Sequence, residues 1–200
     1  MATASGVQEY PDNSVILIEE ETGLIKSIYA QYIAASAKKP VCYITTRTRD
    51  DILRQMALLR LPHVDQIEIR EMHETEPGPM CDLLTTLTPA GLVVVDPFST
   101  YFMESPLHEF LQIVNRLVAA SRNGHTFFLL DDIGVLPDRH EQLLRAMADG
   151  VIRVTAMNEG DKIRRYLNIL KMQGTQPLDK MLPFTITDEG FLIDTRERHG

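Results

Sequence analysis

Residues 14–27, SVILIEEETGLIKS, decide the fold. Residues 14–18 are a short apolar run rich in β-branched side chains, and a polar turn follows. The continuation LIKSIYAQYIAASA then places Ile25, Ile28, Tyr29, Ala30 and Ile33 at helical spacing. Strand, loop and helix in this order form the opening unit of a parallel α/β sheet. In such a sheet, ligands bind beyond the carboxyl ends of the strands, and the first strand-to-helix loop is where a phosphate site sits.

Working outward, the unit recurs. VCYITT from Val41 reads as a second buried strand, and DDILRQMALL as a helix carrying Ile52, Leu53, Met56, Leu58 and Leu59. VDQIEIRE from Val64 alternates like a strand exposed on one face, and PMCDLLTTL after a Glu-Pro-Gly turn reads as a short helix. LVVVD from Leu92 is continuously apolar, as a central parallel strand covered on both sides requires, and ends in Asp96. Ser105 as N-cap and Pro106 as first helical residue predict a long helix stopping near Asn123 and Gly124. The strand HTFFLLDD follows, and Asp138 with Glu141 resembles a capping box opening the helix RHEQLLRAM.

Beyond that helix the pattern changes. VIRVTAM is a strand, NEGD a turn, residues 163–172 a second strand, and TDEG joins PFTI to FLID. The expected fold is therefore α/β: a mainly parallel twisted sheet flanked by helices, with antiparallel C-terminal hairpins at one edge. At 200 residues the chain suits one domain over 1–200, with 1–13 and 195–200 as loose termini.

Composition narrows the function classes. No run approaches the roughly 18 apolar residues of a membrane span, and the start lacks a secretory pattern, so the expected compartment is the cytoplasm. Cys42 and Cys81 lack partners at metal-ligand spacing and read as buried thiols. The net charge of -8 disfavours nucleic acid, although Lys162, Arg164 and Arg165 cluster locally. The histidines form no HExxH, and no GxSxG elbow supports acyl transfer. Asp131 and Asp132 could join Asp96 around a divalent cation, but such a pair more commonly shapes and solvates a strand-to-loop turn. No metal site is expected.

The first loop, EEETGLIKS, invites comparison with the phosphate loop G-x-x-x-x-G-K-[ST]. With Lys26 and Ser27 on the lysine and hydroxyl places, Glu20 and Ile25 fall where the two glycines belong, while Gly23 remains as a glycine inside the loop. Glycine serves there because backbone must approach phosphate closely. Two like charges about 4 Å apart at an effective dielectric near 20 repel by about 4 kcal/mol, and about 1.4 kcal/mol is tenfold in affinity. Glu19, Glu20 and Glu21 at the mouth therefore oppose a polyphosphate, and Lys26 is expected to pair internally with Glu20 or Glu21. The plainer alternative is an ordinary helix start with an exposed lysine. The acidic run is ordinarily a solvated surface, and at a ligand-site position it could instead receive a basic partner segment.

The ending carries the most specific signal. ADGVIRV, RRYLNILKMQGT and LPFTITDEG resemble the close of a KaiC-like domain of the RecA superfamily, with its DGVI strand, L-x-I-x-K-x-R-G hairpin and PF-x-I-x-x-x-G hairpin. SVILIEEETGLIKS and LVVVDPFST stand at matching intervals, so the resemblance covers roughly residues 14–194. It implies a RecA-like P-loop NTPase fold, makes Asp96 the Walker B aspartate that coordinates magnesium indirectly, and makes Lys171 a lysine reaching a neighbouring subunit's nucleotide. It also implies adjacent glutamates after the second strand that activate water, where this chain has Thr46 and Arg47. Gln173 replaces a typical arginine, and the glycine-rich segment expected before the first strand is missing.

These departures predict a noncatalytic KaiC-like protein, a regulatory or scaffolding module in signal transduction. It would need no cofactor and would act through protein partners or self-association, with a homo-oligomer among the options. Gly23, Lys26, Ser27, Asp96 and Lys171 would then be a vestigial nucleotide site. The alternative is an ATPase with an atypical loop, using ATP and magnesium through Lys26, Ser27 and Asp96.

Overall fold

The first strand, β1 (Val15–Glu20), is buried along its whole length, with Val15, Ile16, Leu17 and Ile18 at 0% exposure. It can be so apolar because it has strands on both sides and helices on both faces. The structure is a computed structural model and describes residues 10–21, 23–73, 77–87, 91–175, 181–187 and 190–193. After β1 come α1 (Ile25–Ser36), β2 (Val41–Thr45), α2 (Arg49–Leu58), β3 (Ile67–Glu71), α3 (Pro77–Thr86), β4 (Leu92–Asp96) and α4 (Leu107–Arg122). Then follow β5 (Thr126–Asp132), α5 (Asp138–Met147), β6 (Gly150–Glu159), β7 (Lys162–Met172), β8 (Leu182–Thr187) and β9 (Gly190–Ile193).

These strands form one sheet in the order β3-β2-β4-β5-β1-β6-β7-β8-β9. Pairing is parallel from β3 to β6 and antiparallel from β6 to β9. The α/β sheet with antiparallel strands at its C-terminal edge is thus as expected. α1 and α2 cover one face through Tyr29, Ala30, Ile33, Ile52 and Met56. α3, α4 and α5 cover the other through Met80, Phe110, Ile113, Leu117 and Leu144. The antiparallel end is tied back to α1, where Tyr29 lies 4.6 Å from Phe191 of β9, ring centre to ring centre. No helix among the described residues is long and apolar enough to cross a membrane.

Several local expectations shift. β1 runs two residues beyond the apolar segment into Glu19 and Glu20. α4 begins at Leu107 with Pro106 as its N-cap, because the Ser105 hydroxyl donates to Phe102 O rather than capping the helix. α5 has no capping box: Glu141 accepts the Gly134 N–H at 2.6 Å and pairs with Arg145 at 2.9 Å. On α2 only Ile52 and Met56 are buried, and Leu58 is 84% exposed. Tyr10, expected in a loose start, packs edge-on against Phe128 and hydrogen-bonds the Tyr29 hydroxyl. Residues 1–9 and 195–200 lie outside the described residues, as do Asp188 and Glu189 of the TDEG turn. Cys42 is buried, and burial pushes its thiol up to about 11, whereas Cys81 is half-buried.

The ends of β1 and β5 place successive acids on opposite faces, as a period of two requires. On the α5 side, Glu19 is fully buried and accepts Arg145 at 2.7 Å and Arg153 at 2.5 Å. Asp131, in register with Glu19, is also at 0% exposure, and neither of its oxygens has a hydrogen-bond partner among the described residues. Burial, then the negative charges of Glu141 and Glu19, push its carboxyl up to about 7, with Arg145 opposing. Glycine matters most at Gly91, at the entry to β4: a Cβ there would lie 2.5 Å from Pro40 O, a backbone atom that already accepts the Leu92 N–H.

Two outcomes follow from this packing. Gly91→Ala should lower unfolding free energy by about 1–3 kcal/mol in urea melts, whereas Gly78→Ala, with nothing within 4 Å of the added carbon, should change it little. Asp131 has a folded pKa above its unfolded value, so its contribution is fully present below about pH 4 and is lost as pH rises through about 7. Measured against Asp131→Asn, wild-type stability should therefore fall by up to roughly 4 kcal/mol between about pH 4 and about pH 8. A difference independent of pH would refute the assignment.

Candidate functional site

The parallel strands end together at one edge of the sheet. Glu20 is in register with Asp132, and Thr45 with Asp96, so their side chains leave the sheet on the face covered by α1. The loop from Glu21 to Leu24 carries the chain from β1 to α1, delivering Lys26 and Ser27 in the first turn of the helix. Thr22 lies outside the described residues.

Lys26 is 3% exposed, and its ammonium donates to Asp132 Oδ1 at 2.5 Å and to Gly23 O at 3.0 Å. The expected ion pair with Glu20 or Glu21 is therefore corrected: the partner is Asp132. The reason is topological, since β5 lies between β1 and β4 and aims Asp132 at the helix start from the neighbouring strand. An ordinary exposed lysine at a helix start is likewise not what is found.

Glu20 has another role. It turns back under the loop, and its Oε2 accepts the Lys26 backbone N–H at 3.1 Å. Its Oε1 lies 2.7 Å from the place where a Cβ on Gly23 would stand. A side chain there would displace the carboxylate, and the φ of 153° at Gly23 strains any L side chain, so glycine permits the loop to fold against a carboxylate. Ile25, expected to obstruct the loop, packs against the larger core cluster instead. The group inside the loop is the glutamate.

Asp96 is 4% exposed and has both oxygens occupied: Ser27 Oγ donates to Oδ1 at 2.9 Å and Tyr43 Oη to Oδ2 at 2.5 Å. Burial raises its pKa, opposed first by these two hydrogen bonds and then by the charges of Lys26 and Arg47. Arg47 donates to Gln55 Oε1 at 2.7 Å, so guanidinium and amide stand after β2 where the resemblance implied carboxylates. Asp131 points to the opposite face from Asp96 and Asp132, and no group of three or more potential ligands that could hold a metal ion occurs among the described residues.

Thus Gly23, Lys26, Ser27 and Asp96 converge. Lys171 does not join them; its ammonium caps the end of α5, donating to Ala146 O at 2.9 Å. Two members of the cluster, Tyr43 and Asp132, belong to no motif, and only strand register brings them in. The anions that meet the Lys26 amide and ammonium in this arrangement are carboxylates of the chain itself. A polyphosphate entering here would also face Glu20, Asp132 and the exposed Glu21.

Known proteins agree with the architecture. The flagellar accessory protein FlaH from Methanocaldococcus jannaschii superposes with a TM-score of 0.80 at 17% identity, over 92% of this chain and 91% of that one. The KaiC-like protein PH0186 from Pyrococcus horikoshii OT3 gives 0.72 at 19% identity, with the same coverage of each chain. At these identities the likeness is one of fold, RecA-like in both cases. The circadian clock oscillator protein KaiC of Acaryochloris marina is 45% identical over 47 residues, a match spanning 24% of this chain and 9% of that protein. A family model described as "Family of unknown function (DUF7125)" matches residues 31–199, and the chain therefore belongs to that family.

Proposed function

We propose that this protein is a noncatalytic KaiC-like module that acts in the cytoplasm through protein contacts, as a regulator or scaffold in signal transduction, rather than by turning over ATP. The observation that carries the reading is the Glu20 carboxylate inside the first loop, accepting the Lys26 amide while the Lys26 ammonium is held by Asp132. A phosphate loop works because its amides and lysine wait unpaired for an external anion. Here the chain supplies both anions, so binding ATP would require breaking two internal contacts and bringing a polyanion against fixed carboxylates.

Hydrolysis would face a second obstacle. Water activation needs a positioned proton acceptor. The turn after β2 instead offers Arg47, whose guanidinium is engaged by Gln55. Under this reading Ser27 and Asp96 have become structural: their hydrogen bond, with that of Tyr43, closes the strand ends against α1. Function then resides in surfaces, with self-association or a separate protein partner as the means of action.

Calorimetric titration with Mg-ATP to about millimolar concentration should give no saturable heat with wild-type protein. Saturable binding that Lys26→Ala abolishes would overturn the proposal in favour of a working nucleotide site. Glu20→Gly combined with Glu21→Gly should lower the dissociation constant for Mg-ATP at least about tenfold, by removing the internal anion and its exposed neighbour. No gain in the double variant would mean that backbone shape, rather than the carboxylate, closes the loop.

A further inference from the structure

β6 outruns its parallel neighbour. It pairs with β1 only over Gly150 to Arg153, yet continues to Glu159 paired with β7 alone. The side of β6 facing β1 is therefore an open edge over residues 154–159. Along such an edge alternate residues present both N–H and C=O outward, so about three of these residues offer unpaired backbone groups. No backbone partner for them occurs among the described residues. Native proteins normally blunt such edges, because an unpaired row of donors and acceptors recruits another strand.

The edge borders a cleft of about 240 Å³, lined by Glu20, Glu21, Val154, Thr155, Ala156 and Met157. Its lining carries two carboxylates and no cation. Glu21 is exposed and has no partner among the described residues. Of the nearby cations, Lys26 is held by Asp132 and Arg153 by Glu19, while Arg164 and Arg165, opposite Met157 and Ala156 on β7, are not among the residues lining the cleft. Thr155 Oγ1 is buried without a hydrogen-bond partner, and Met157 is 41% exposed. The cleft thus combines an open strand edge, an unneutralised carboxylate, an orphaned hydroxyl and an apolar side chain.

We infer that residues 154–159 of β6 dock an extended segment of a partner protein, which adds as a strand between β6 and the β1–α1 loop and places a lysine or arginine against Glu21. Strand addition gives affinity through main-chain hydrogen bonds, and side-chain contacts select the sequence. A segment of about six residues, roughly 20 Å long, matches the open length. The charge of the cleft selects a basic segment over an acidic one. This deepens the contact-module reading and rests on it. The peptide titration below reads the edge and the nucleotide titration above reads the loop, so either can fail alone.

The probe is a short fluorescent peptide of alternating valine and lysine, titrated into the full chain by anisotropy. Controls are a valine–glutamate peptide of equal length and a valine–lysine peptide N-methylated on alternate amides. Saturable binding of the first, at least about tenfold weaker for both controls and for the Glu21→Lys protein, is expected. Amide hydrogen exchange over residues 154–159 should slow when that peptide is bound. Equal binding of the N-methylated peptide would overturn strand addition, and equal binding of the acidic peptide would overturn the charge assignment. Absence of binding at about millimolar peptide overturns the proposal outright. Protection of 154–159 that grows with protein concentration alone would place a second copy on the edge and overturn the partner segment.

Discussion

A buried ammonium must have an anion, and in this molecule the anion is its own. Lys26 is 3% exposed, and Asp132 holds it at 2.5 Å. Removing Asp132 would leave the Lys26 ammonium buried without its anion, which is far more costly than the pair itself. The rest of the site follows from this pairing. With the ammonium turned to β5, the loop amide above it is available to Glu20, and the loop settles on the carboxylate with Gly23 as the point of contact. Ser27, one residue further along the first turn, meets Asp96 from β4.

The strand pleat divides the acids of this edge into two sets. Glu20 and Asp132 serve the loop, while Glu19 and Asp131, their immediate neighbours, lie under α5 among Arg145, Arg153 and Glu141. The second set has three carboxyls, Glu19, Asp131 and Glu141, for two guanidiniums, Arg145 and Arg153. Such a buried group is nearest neutrality with one carboxyl protonated, and the one without a hydrogen-bond partner is Asp131. The EE and DD pairs in the sequence are thus split between two separate environments, and α5 is fastened to the sheet through Glu19, on the side that does not face the loop.

The sheet was legible because its signals are local and repeated. Apolar runs such as SVILI and LVVVD could only be buried parallel strands, and their alternation with helical spacing left one plausible architecture. The presence of Glu20 at the loop was also readable, although its bond to the Lys26 amide and the packing of Ile25 into the core were not. Partner identity was not readable. Lys26 was expected to take a near neighbour, yet its anion comes from 106 residues away, because strand order rather than sequence distance decides which carboxylate reaches the helix start. Tyr43 escaped notice for the same reason: nothing in VCYITT distinguishes a core tyrosine from one whose hydroxyl reaches an aspartate on the next strand. Helix caps at Ser105 and Asp138 failed more modestly. Pro106, one residue nearer α4 than Ser105, is the N-cap there, and Pro137 is the N-cap of α5, with Asp138 already its first helical residue.

Closing the loop on an internal carboxylate also changes what the C-terminal half can do. In a ligand-dependent loop, the anion arrives and leaves, and the surrounding strands respond to its presence. Under the proposed function both anions are part of the chain, so the loop has no external ligand to report, and its carboxylates serve as one wall of the cleft. Such a wall beside an overhanging strand is a preorganised groove: one side is backbone with unsatisfied pairing capacity, the other is carboxylate. Under the proposed function, the carboxylates that oppose nucleotide at the loop are the same ones that give the neighbouring cleft its charge, so a single residue pair, Glu20 and Glu21, links the two kinds of recognition.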